Sequence, residues 1–307
     1  MTTPHDPTAP INRRAGHRPE WLKIRVPGDL AQLPVSKLMN DLALNTVCQE
    51  ARCPNIFECW SAGTATFMIL GEICTRRCTF CAVGKGKPLL ADPDEPRRVA
   101  EAVATMGVKH AVITMVNRDD MSDGGADHVA RTVLAVRERT GAAVEVLISD
   151  LEGNRDALRT VIESRPEVLA HNVETVPRLY PAVRPVAKFR QSVDILRWAS
   201  EERFDGMLTK SSIMLGLGET EEEILETAAI LRDAGVDIFT MGQYLAPTGN
   251  HHPVRRYYTP EEFAALGEKA RALGFHHVES APLVRSSYMA HRAVQSPAQN
   301  AARDLRR

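Results

Sequence analysis

The chain has 307 residues, 44% of them hydrophobic and 25% charged, and its formal net charge is -1 at pH 7. This composition is typical of a globular protein, and the near-neutral charge gives no indication of a nucleic-acid or membrane-surface partner. No apolar run approaches the ~20 residues that a membrane-spanning helix needs. Residues 1–20 are rich in proline and lack the apolar segment of a secretory signal, so we predict a flexible leader there.

From residue 64 onward, short apolar runs alternate with segments of helical periodicity. The predicted strands are 64–70, 110–116, 143–148, 167–172, 208–215, 237–244 and 276–281. The predicted helices are 95–106, 127–139, 155–164, 190–202, a helix opened by the capping box of Thr220 and Glu223, and 259–273. This alternation predicts a parallel sheet with right-handed crossovers, in about six βα units. The pattern alone fits both a doubly wound sheet and an open or closed barrel.

The segment before the first predicted strand differs from the βα pattern that follows it. Residues 21–63 carry three cysteines, and we predict an N-terminal extension there, followed by a core at 64–290 and a tail at 291–307. In a parallel βα core, functional residues are expected in the loops after the strands, at the carboxyl edge of the sheet.

All six cysteines lie between residues 48 and 81, in two groups of three. The first group has the spacing C-x4-C-x5-C and the second C-x3-C-x2-C; the members are Cys48, Cys53, Cys59 and Cys74, Cys78, Cys81. A disulfide framework is typical of small secreted domains with little hydrophobic core. This chain is long and shows no export signal, so we predict that both groups are reduced thiols that bind a metal or a cluster.

The second cysteine group directly follows the first predicted strand. Three thiolates can hold three irons of a [4Fe–4S] cube and leave the fourth iron open to an exchangeable ligand. A zinc site is the alternative, but structural zinc takes four ligands and commonly shows C-x2-C pairs. The spacing therefore favours a cluster with one open position.

The segment from Cys74 to Cys81, with Phe80 before its last cysteine, resembles the signature of the radical S-adenosylmethionine (SAM) enzymes. In that family the open iron binds the amino and carboxylate groups of SAM. Electron transfer from the cluster then yields a 5′-deoxyadenosyl radical that abstracts hydrogen from unactivated carbon. The resemblance implies an α/β fold, a partial (β/α)6 TIM-like barrel of the radical SAM type with an N-terminal cysteine-bearing extension.

A longer set of segments resembles the lipoyl synthase family, from about Trp21 to Ala290. These segments are TVCQEARCPNIFECW, CTRRCTFCAVGKGKP, EPRRVAEAV, NRDDMSDGGA, EVLAHNVETVPRLY, SIMLGLGETEEEI and RSSY. The resemblance implies insertion of two sulfur atoms, at the sixth and eighth carbons, into an octanoyl chain on a lysine of a lipoyl carrier domain. It also implies two [4Fe–4S] clusters with SAM, and an auxiliary cluster on the first cysteine group that donates the sulfur.

The resemblance further assigns individual polar residues. Ser287 of the RSSY motif is expected to be the fourth ligand of the auxiliary cluster, in preference to Ser286. Asn172 and Glu174 follow a predicted strand and are expected to bind SAM, although a capping or turn role fits them equally well. Arg184 is expected at the same cofactor, with a solvated surface arginine as the alternative. No catalytic residue is expected beyond the cluster ligands.

The implied partners follow from the same family. They are an octanoylated lipoyl domain of a 2-oxoacid dehydrogenase or the glycine-cleavage H protein, a ferredoxin- or flavodoxin-type reductant, and an iron–sulfur carrier for cluster repair. No nucleic acid and no membrane are expected, and the expected location is the cytoplasm. Lys85, Lys87 and the segment 254–258 are candidates for contact with an acidic carrier, although a solvated face also fits them.

Several alternatives remain open from the sequence. Another two-cluster radical SAM sulfurtransferase is the nearest, and a non-catalytic metal-binding module is the alternative from a different class of protein. The segment Arg118–Asp120 can either line the site or form internal ion pairs. Lys210 can either contact a ligand or pair with a buried carboxylate. His251 and His252 are expected to belong to a loop rather than to a metal site.

Overall fold

The computed structural model of the chain describes residues 19–23, 33–50, 53, 55–56, 59 and 66–287. Its strands are β1 (Asn45–Thr46), β2 (Thr66–Ile69), β3 (Ile73–Cys74), β4 (Gly84–Lys85), β5 (His110–Met115), β6 (Ala143–Leu147), β7 (Val168–Ala170), β8 (Leu208–Leu215), β9 (Ile238–Gln243) and β10 (His277–Ser280). Eight of them form one sheet in the order β1-β2-β5-β6-β7-β8-β9-β10, and β3 pairs with β4 separately. The expected tail at 291–307 and most of the leader at 1–20 lie outside the described residues.

The α-helices follow the strands in alternation. They are α1 (Leu33–Asp41), α2 (Val47–Glu50), α3 (Glu95–Met106), α4 (Ala126–Thr140), α5 (Arg155–Glu163), α6 (Tyr180–Val183), α7 (Phe189–Glu202), α8 (Glu221–Asp233) and α9 (Pro260–Arg271). Short 3₁₀ turns lie at Glu20–Leu22, Leu151–Gly153 and Pro177–Leu179. No helix in the described part of the chain is both long enough and apolar enough to cross a bilayer.

The large sheet is parallel from β2 to β10, as the alternation predicts. Adjacent pairs such as β5–β6 and β8–β9 run parallel, and only β1 runs antiparallel to its neighbour. Each of β2, β5, β6, β7, β8 and β9 leads into one of the long helices before the next parallel strand begins. Within the described residues β1 and β10 form the two edges of the sheet, so the barrel is open.

The core lies on both faces of the curved sheet. All residues of β2 and β9 are buried, as expected of parallel strands covered on both faces. On α4 the buried Val129, Val133 and Val136 have the i, i+4, i+7 spacing of one helix face. That helix ends at Gly141, whose φ of +64° is the left-handed conformation that glycine adopts without steric cost.

The capping box predicted at Thr220 is confirmed. Thr220 Oγ1 accepts from the Glu223 backbone N–H, and the Glu223 carboxylate accepts from the Thr220 backbone N–H. Thr259 and Glu262 make the same pair of bonds at the start of α9. These side chains satisfy backbone donors that the first helical turn leaves without intrahelical partners.

The predicted N-terminal extension is joined to the barrel through β1. Asn45 pairs with Met68 and Thr46 with Phe67 in antiparallel register. Two residues are too few for the sequence pattern to indicate a strand, so this pairing was not predicted. It places the cysteine of α2, Cys48, directly beside the first barrel strand.

Candidate cluster site at the carboxyl edge of the barrel

The loop that carries Cys74, Cys78 and Cys81 follows β2 at the carboxyl edge of the sheet. Its start is fixed by the β3–β4 ladder, in which Cys74 pairs with Lys85, and by a hydrogen bond of 3.1 Å from Gly86 N to Cys74 O. The three cysteines form no disulfide. Burial raises the pKa of the Cys81 thiol to about 11, and the other two thiols add to the effect.

These thiols fit an iron–sulfur cluster by their chemistry. They lie on one loop, are partly buried and are close enough to affect each other's ionisation, and metal ligation is the usual way to hold such thiols deprotonated. No three His, Cys, Asp or Glu side chains within the described ranges are arranged to hold a single metal ion. A cube distributes its cysteines over separate irons. The assignment of both triads as ligands stays a prediction.

Arg76 fixes the cysteine loop to two neighbouring strands. Its Nε and Nη2 donate to the two carboxylate oxygens of Asp119, each at 2.9 Å, and its Nη1 donates to Asp150 Oδ2 at 2.6 Å. Thr75 reinforces the contact through a bond from its hydroxyl to Asp119 Oδ2 at 2.9 Å. Asp119 follows β5 and Asp150 follows β6, so one guanidinium joins three loops.

The open question about Arg118–Asp120 is therefore settled in favour of internal ion pairing. Asp119 binds Arg76, and Arg118 binds Asp120 in a two-point contact with both distances at 2.8 Å. The sequence analysis did not single out Arg76. The signal that could have found it is its position between Cys74 and Cys78, where a charged side chain in a tight loop needs an ion-pair partner.

The other side of the loop is held by backbone bonds. Thr79 N donates to Val183 O at 2.9 Å, and His252 N donates to Thr79 O at 2.9 Å. His251 Nε2 donates to the Cys81 carbonyl at 3.2 Å. The two histidines lie in a loop, as expected, but the contacts of this loop with Thr79 and Cys81 were not predicted.

Asn172, Glu174 and Arg184 come together beside Cys78. Asn172 Nδ2 donates to Glu174 Oε1 at 3.2 Å, and Arg184 Nη1 donates to the Asn172 carbonyl at 3.0 Å. Arg184 is buried rather than solvated, and it opposes the larger effect of burial, which raises the pKa of Cys78. Glu174 has a φ of +67°, a left-handed conformation that non-glycine residues rarely adopt. Such strain clusters at functional sites.

Two buried polar atoms of this group have no hydrogen-bond partner in the part of the chain that the structure describes. They are Asn172 Oδ1 and Arg184 Nε, and a third such atom, Asn117 Nδ2, belongs to the loop after β5. Buried polar atoms are nearly always hydrogen-bonded. These unused hydrogen-bond donors and acceptors beside the cysteine loop fit a polar ligand such as SAM.

His171 precedes this group and is uncharged. Burial, together with the charge of Arg184, lowers its pKa to about 4. Its Nδ1 lies 3.0 Å from the Ile148 carbonyl and its Nε2 lies 3.0 Å from Ser192 Oγ. Because a carbonyl oxygen can only accept, the proton is on Nδ1, and Nε2 accepts from the Ser192 hydroxyl. His171 therefore supports the strand end without adding charge.

The first cysteine group lies against the segment that contains Ser287. Cys53 N donates to Cys48 O at 3.0 Å and Cys59 N donates to Asn55 O at 2.9 Å, so backbone bonds link each of the three cysteines to a neighbouring described residue. Asn55 Nδ2 donates to the Leu283 carbonyl at 2.7 Å, across 228 positions of the chain. Burial raises the pKa of Cys53, and the charge of Arg285 opposes this effect.

Ser287 itself is held by the first barrel strand. Thr66 Oγ1 donates to Ser287 Oγ at 2.9 Å. The structure thus places Ser287 against β2, and Asn55, which lies between Cys53 and Cys59, contacts Leu283, four residues before Ser287. The ligand role of Ser287 stays a prediction. Ser286 is also described, but no hydrogen bond of its side chain to this group is observed within the described residues.

Lys210 lies away from both cysteine groups. Its Nζ donates to Glu145 Oε1 at 2.8 Å, and each side chain is only 1% exposed. His110 Nε2 lies 3.6 Å from the other carboxylate oxygen. Burial by itself would raise the pKa of Glu145, but Lys210 and His110 hold it below its usual value. The structure favours the ion-pair interpretation of Lys210.

Comparison with known proteins identifies the family. The model of the radical SAM superfamily matches residues 68–231. A lipoyl synthase of Rubrobacter xylanophilus is 58% identical over 279 residues, which cover 91% of this chain and 87% of that protein. A lipoyl synthase of Chloroflexus aurantiacus is 55% identical over 275 residues, which cover 89% and 90%.

Solved structures agree with the fold. SuiB from Streptococcus suis, crystallised with S-adenosylmethionine, gives a TM-score of 0.54 at 14% identity over 82% of this chain and 61% of that chain. The hydrogenase maturase HydG from Carboxydothermus hydrogenoformans gives 0.53 at 14% identity over 86% and 77%. At this identity the likeness concerns the fold alone, and it confirms the partial (β/α) barrel. By its sequence relatives, the chain belongs to the lipoyl synthase family of the radical SAM superfamily.

Proposed function

We propose that this chain inserts two sulfur atoms into an octanoyl chain, at its sixth and eighth carbons, while the octanoyl group is held on a lysine of a lipoyl carrier domain. The observation that supports the proposal is that the segment of the first cysteine group contacts the segment just before Ser287, through the Asn55–Leu283 bond, while Thr66 bonds Ser287 itself. Radical generation requires one cluster only. A second set of candidate ligands, on segments that are far apart in the sequence and contact each other in the fold, is what sulfur insertion would require in addition.

In this proposal Cys74, Cys78 and Cys81 would hold the first [4Fe–4S] cluster and leave one position for SAM. When bound, the two clusters and SAM supply a carbon-centred radical and the sulfur. Arg76 and His251 keep the loop in one conformation from opposite sides. Partial burial of the thiols limits access of water to the position where the radical would form.

SAM would lie beside β7, against the group of Asn172, Glu174 and Arg184. The unpartnered Asn172 Oδ1 can accept from a ribose hydroxyl or an ammonium group, and the unpartnered Arg184 Nε can donate to a carboxylate. Burial raises the pKa of Glu174, and Arg184 and Asn172 oppose this effect, so a cationic or hydrogen-bonding ligand would further favour its ionised form.

The auxiliary cluster would be held by Cys48, Cys53 and Cys59, with Ser287 as its fourth ligand. An alkoxide is a harder ligand than a thiolate and suits iron less well. Thr66 donates to Ser287 Oγ, and this bond would stabilise the alkoxide form. We infer that Ser287 would hold its iron more weakly than a cysteine would, which would favour loss of that iron when sulfur is donated.

The Ser287→Cys variant tests this role. We expect it to bind the auxiliary cluster normally but to lose most of its sulfur transfer, because the thiolate holds the departing iron more firmly. The measurement is iron content together with lipoyl product per chain in a single turnover. Full turnover by this variant would show that the serine bond is not what releases the iron.

The remaining partners are part of the same proposal. A ferredoxin- or flavodoxin-type protein would supply electrons, and an iron–sulfur carrier would rebuild the auxiliary cluster after each turnover. Six reduced thiols within a short segment suit a reducing compartment, so we place the reaction in the cytoplasm.

The proposal is tested first by counting iron and acid-labile sulfide per chain after anaerobic reconstitution. We expect about eight irons in the unmodified chain and about four when Cys48, Cys53 and Cys59 are replaced with alanine. The triple variant should still cleave SAM but form no lipoyl product on an octanoylated carrier. The matched variant with alanine at Cys74, Cys78 and Cys81 should retain about four irons and lose SAM cleavage.

About four irons in both the unmodified chain and the first triple variant would mean that the first cysteine group holds no cluster. Lipoyl product from that variant would contradict the proposed sulfur source. Zinc in place of iron after anaerobic handling would favour the metal-binding module.

A further inference from the structure

The segment that leaves the cysteine loop exposes two adjacent leucines almost completely. Leu89 is 87% exposed and Leu90 is 96% exposed. The other large apolar side chains that reach solvent in the described part of the chain are 37% to 58% exposed. Single exposed leucines are common, but two neighbouring ones that contribute nothing to the core suggest an external partner.

The backbone that presents these leucines is anchored at both ends. On one side β4 pairs with β3, and Gly86 N donates to Cys74 O at 3.1 Å. On the other side Asp92 accepts from Arg98 at 2.9 Å, and Arg131 donates to the Pro93 carbonyl at 2.8 Å. The leucines therefore project from a defined position beside the first cluster ligand.

The two leucines are accompanied by positive charge. Lys85 and Lys87 are exposed, and neither forms an ion pair with any carboxylate that the structure describes. We call Lys85, Lys87, Leu89 and Leu90 the docking ridge. An apolar centre with a charged rim is the usual composition of a protein–protein contact. The complementary surface is an acidic face with an apolar patch.

The position of the docking ridge indicates which kind of protein binds it. A folded carrier domain is too large to enter the barrel, so its body must rest on the rim while only the acylated lysine reaches inside. The docking ridge lies on that rim, next to Cys74. A second copy of this chain in a two-fold contact through the ridge would oppose like charges, which is unfavourable. A reductant is the weaker candidate, because brief electron-transfer encounters use small interfaces.

We propose that the docking ridge binds an acidic, partly apolar face of the folded carrier domain that bears the octanoyl-lysine. This inference rests on the proposed function and adds to it the surface by which the protein substrate is selected. It predicts that the ridge contributes to the binding of the whole carrier but not to the binding of a short acylated peptide.

The experiment compares two substrates with dithionite as the reductant. One is an intact octanoylated lipoyl domain, and the other is a short peptide with the same octanoyl-lysine. For the Leu89→Ser/Leu90→Ser variant we expect KM for the domain to rise about tenfold, because interface leucines that act as anchors contribute on this scale. Kinetics on the peptide should stay within about twofold of those of the unmodified chain.

A second variant and a matched control complete the design. Lys85→Gln/Lys87→Gln should raise KM for the domain and reduce its dependence on salt, since exposed charges act through screened attraction. The control is Leu134→Ser/Leu273→Ser, two exposed leucines on α4 and after α9, which should change neither substrate's kinetics. Iron content of every variant shows that the barrel is folded.

The outcomes are separable. If the unmodified chain converts neither substrate, the proposed function fails and with it the basis of the ridge. If it converts both and the leucine variant has an unchanged KM for the domain, the ridge is not the carrier surface. If the leucine variant lost activity equally on the domain and on the peptide, the leucines would support the barrel instead of binding the carrier. If the leucine variant lost activity only when a protein reductant replaced dithionite, the docking ridge would bind the reductant.

Discussion

Replacing Arg76 with methionine is expected to lower both the stability of the protein and the iron bound by the loop of Cys74, Cys78 and Cys81. The change leaves the Asp150 carboxylate, whose side chain has no exposed surface, without its ion-pair partner. Breaking one half of a buried pair costs roughly 3–5 kcal/mol. We expect the lower end, about 3 kcal/mol, because Asp150 still accepts from the Glu152 backbone N–H.

The loop should lose its position as well. Burial opposes the charge of Arg76, yet hydrogen bonds to Asp150 and Asp119 outweigh that effect and raise its pKa, so the guanidinium is fixed and permanently charged. Arg76→Lys should give an intermediate result, because an ammonium group cannot reproduce the two-point contact with Asp119. Iron content and the thermal unfolding midpoint under anaerobic conditions are the measurements.

The adjacent arginine supplies the control. Arg77 is exposed and forms no ion pair with any described residue, so Arg77→Met should leave iron content and unfolding midpoint unchanged. Equal behaviour of the Arg76 and Arg77 variants would refute the anchoring role. If Arg76→Met had a normal unfolding midpoint but low iron content, Arg76 would position the cysteine loop without stabilising the fold.

Replacing Lys210 with methionine is expected to destabilise the barrel at a place remote from both cysteine groups. Glu145 would remain in the interior with only His110 nearby, and both Glu145 and Lys210 are 1% exposed. We expect a loss of about 3–5 kcal/mol. For a chain of this size that loss lowers the unfolding midpoint by roughly 5–10 °C.

The double variant distinguishes a broken pair from lost packing. Lys210→Met combined with Glu145→Leu should recover much of the loss, since replacing both members of a buried pair by apolar groups is often neutral. As a control, Lys269→Met removes the exposed pair with Glu221 and should cause little change. No recovery in the double variant would mean that Lys210 stabilises the barrel by packing alone.

The sequence predicted the barrel well because its long elements carry strong local signals. The helix Glu95–Met106 and the strand Leu208–Leu215 have the predicted bounds. The strand predicted at 167–172 contains only Val168–Ala170, and Asn172 bonds Glu174 in the loop that follows. The two-residue β1 was missed, because its pairing with β2 depends on a distant neighbour and not on local periodicity.

The sequence indicates the candidate ligands of the site but not the residues that hold them in place. Spacing alone indicated both cysteine groups, and resemblance supplied Ser287. The partners of Arg76 lie 43 and 74 positions further along the chain, and nothing near Arg76 indicates that Asp119 and Asp150 approach it. The hydroxyl contact between Thr66 and Ser287 spans 221 positions and was equally hidden. Such contacts exist only once the barrel has brought the loops together.

The bond between Asn55 and Leu283 also fixes an order of events during synthesis. The segment of Cys48, Cys53 and Cys59 leaves the ribosome early, whereas its neighbour follows 228 positions later. Chains are made from the N-terminus at roughly 5–20 residues per second, so the early segment waits for roughly ten seconds or more before its neighbour exists. Throughout that interval the segment that carries these three thiols lacks its contact with Leu283. A cell that makes this protein therefore has to protect them from oxidation until translation is nearly complete.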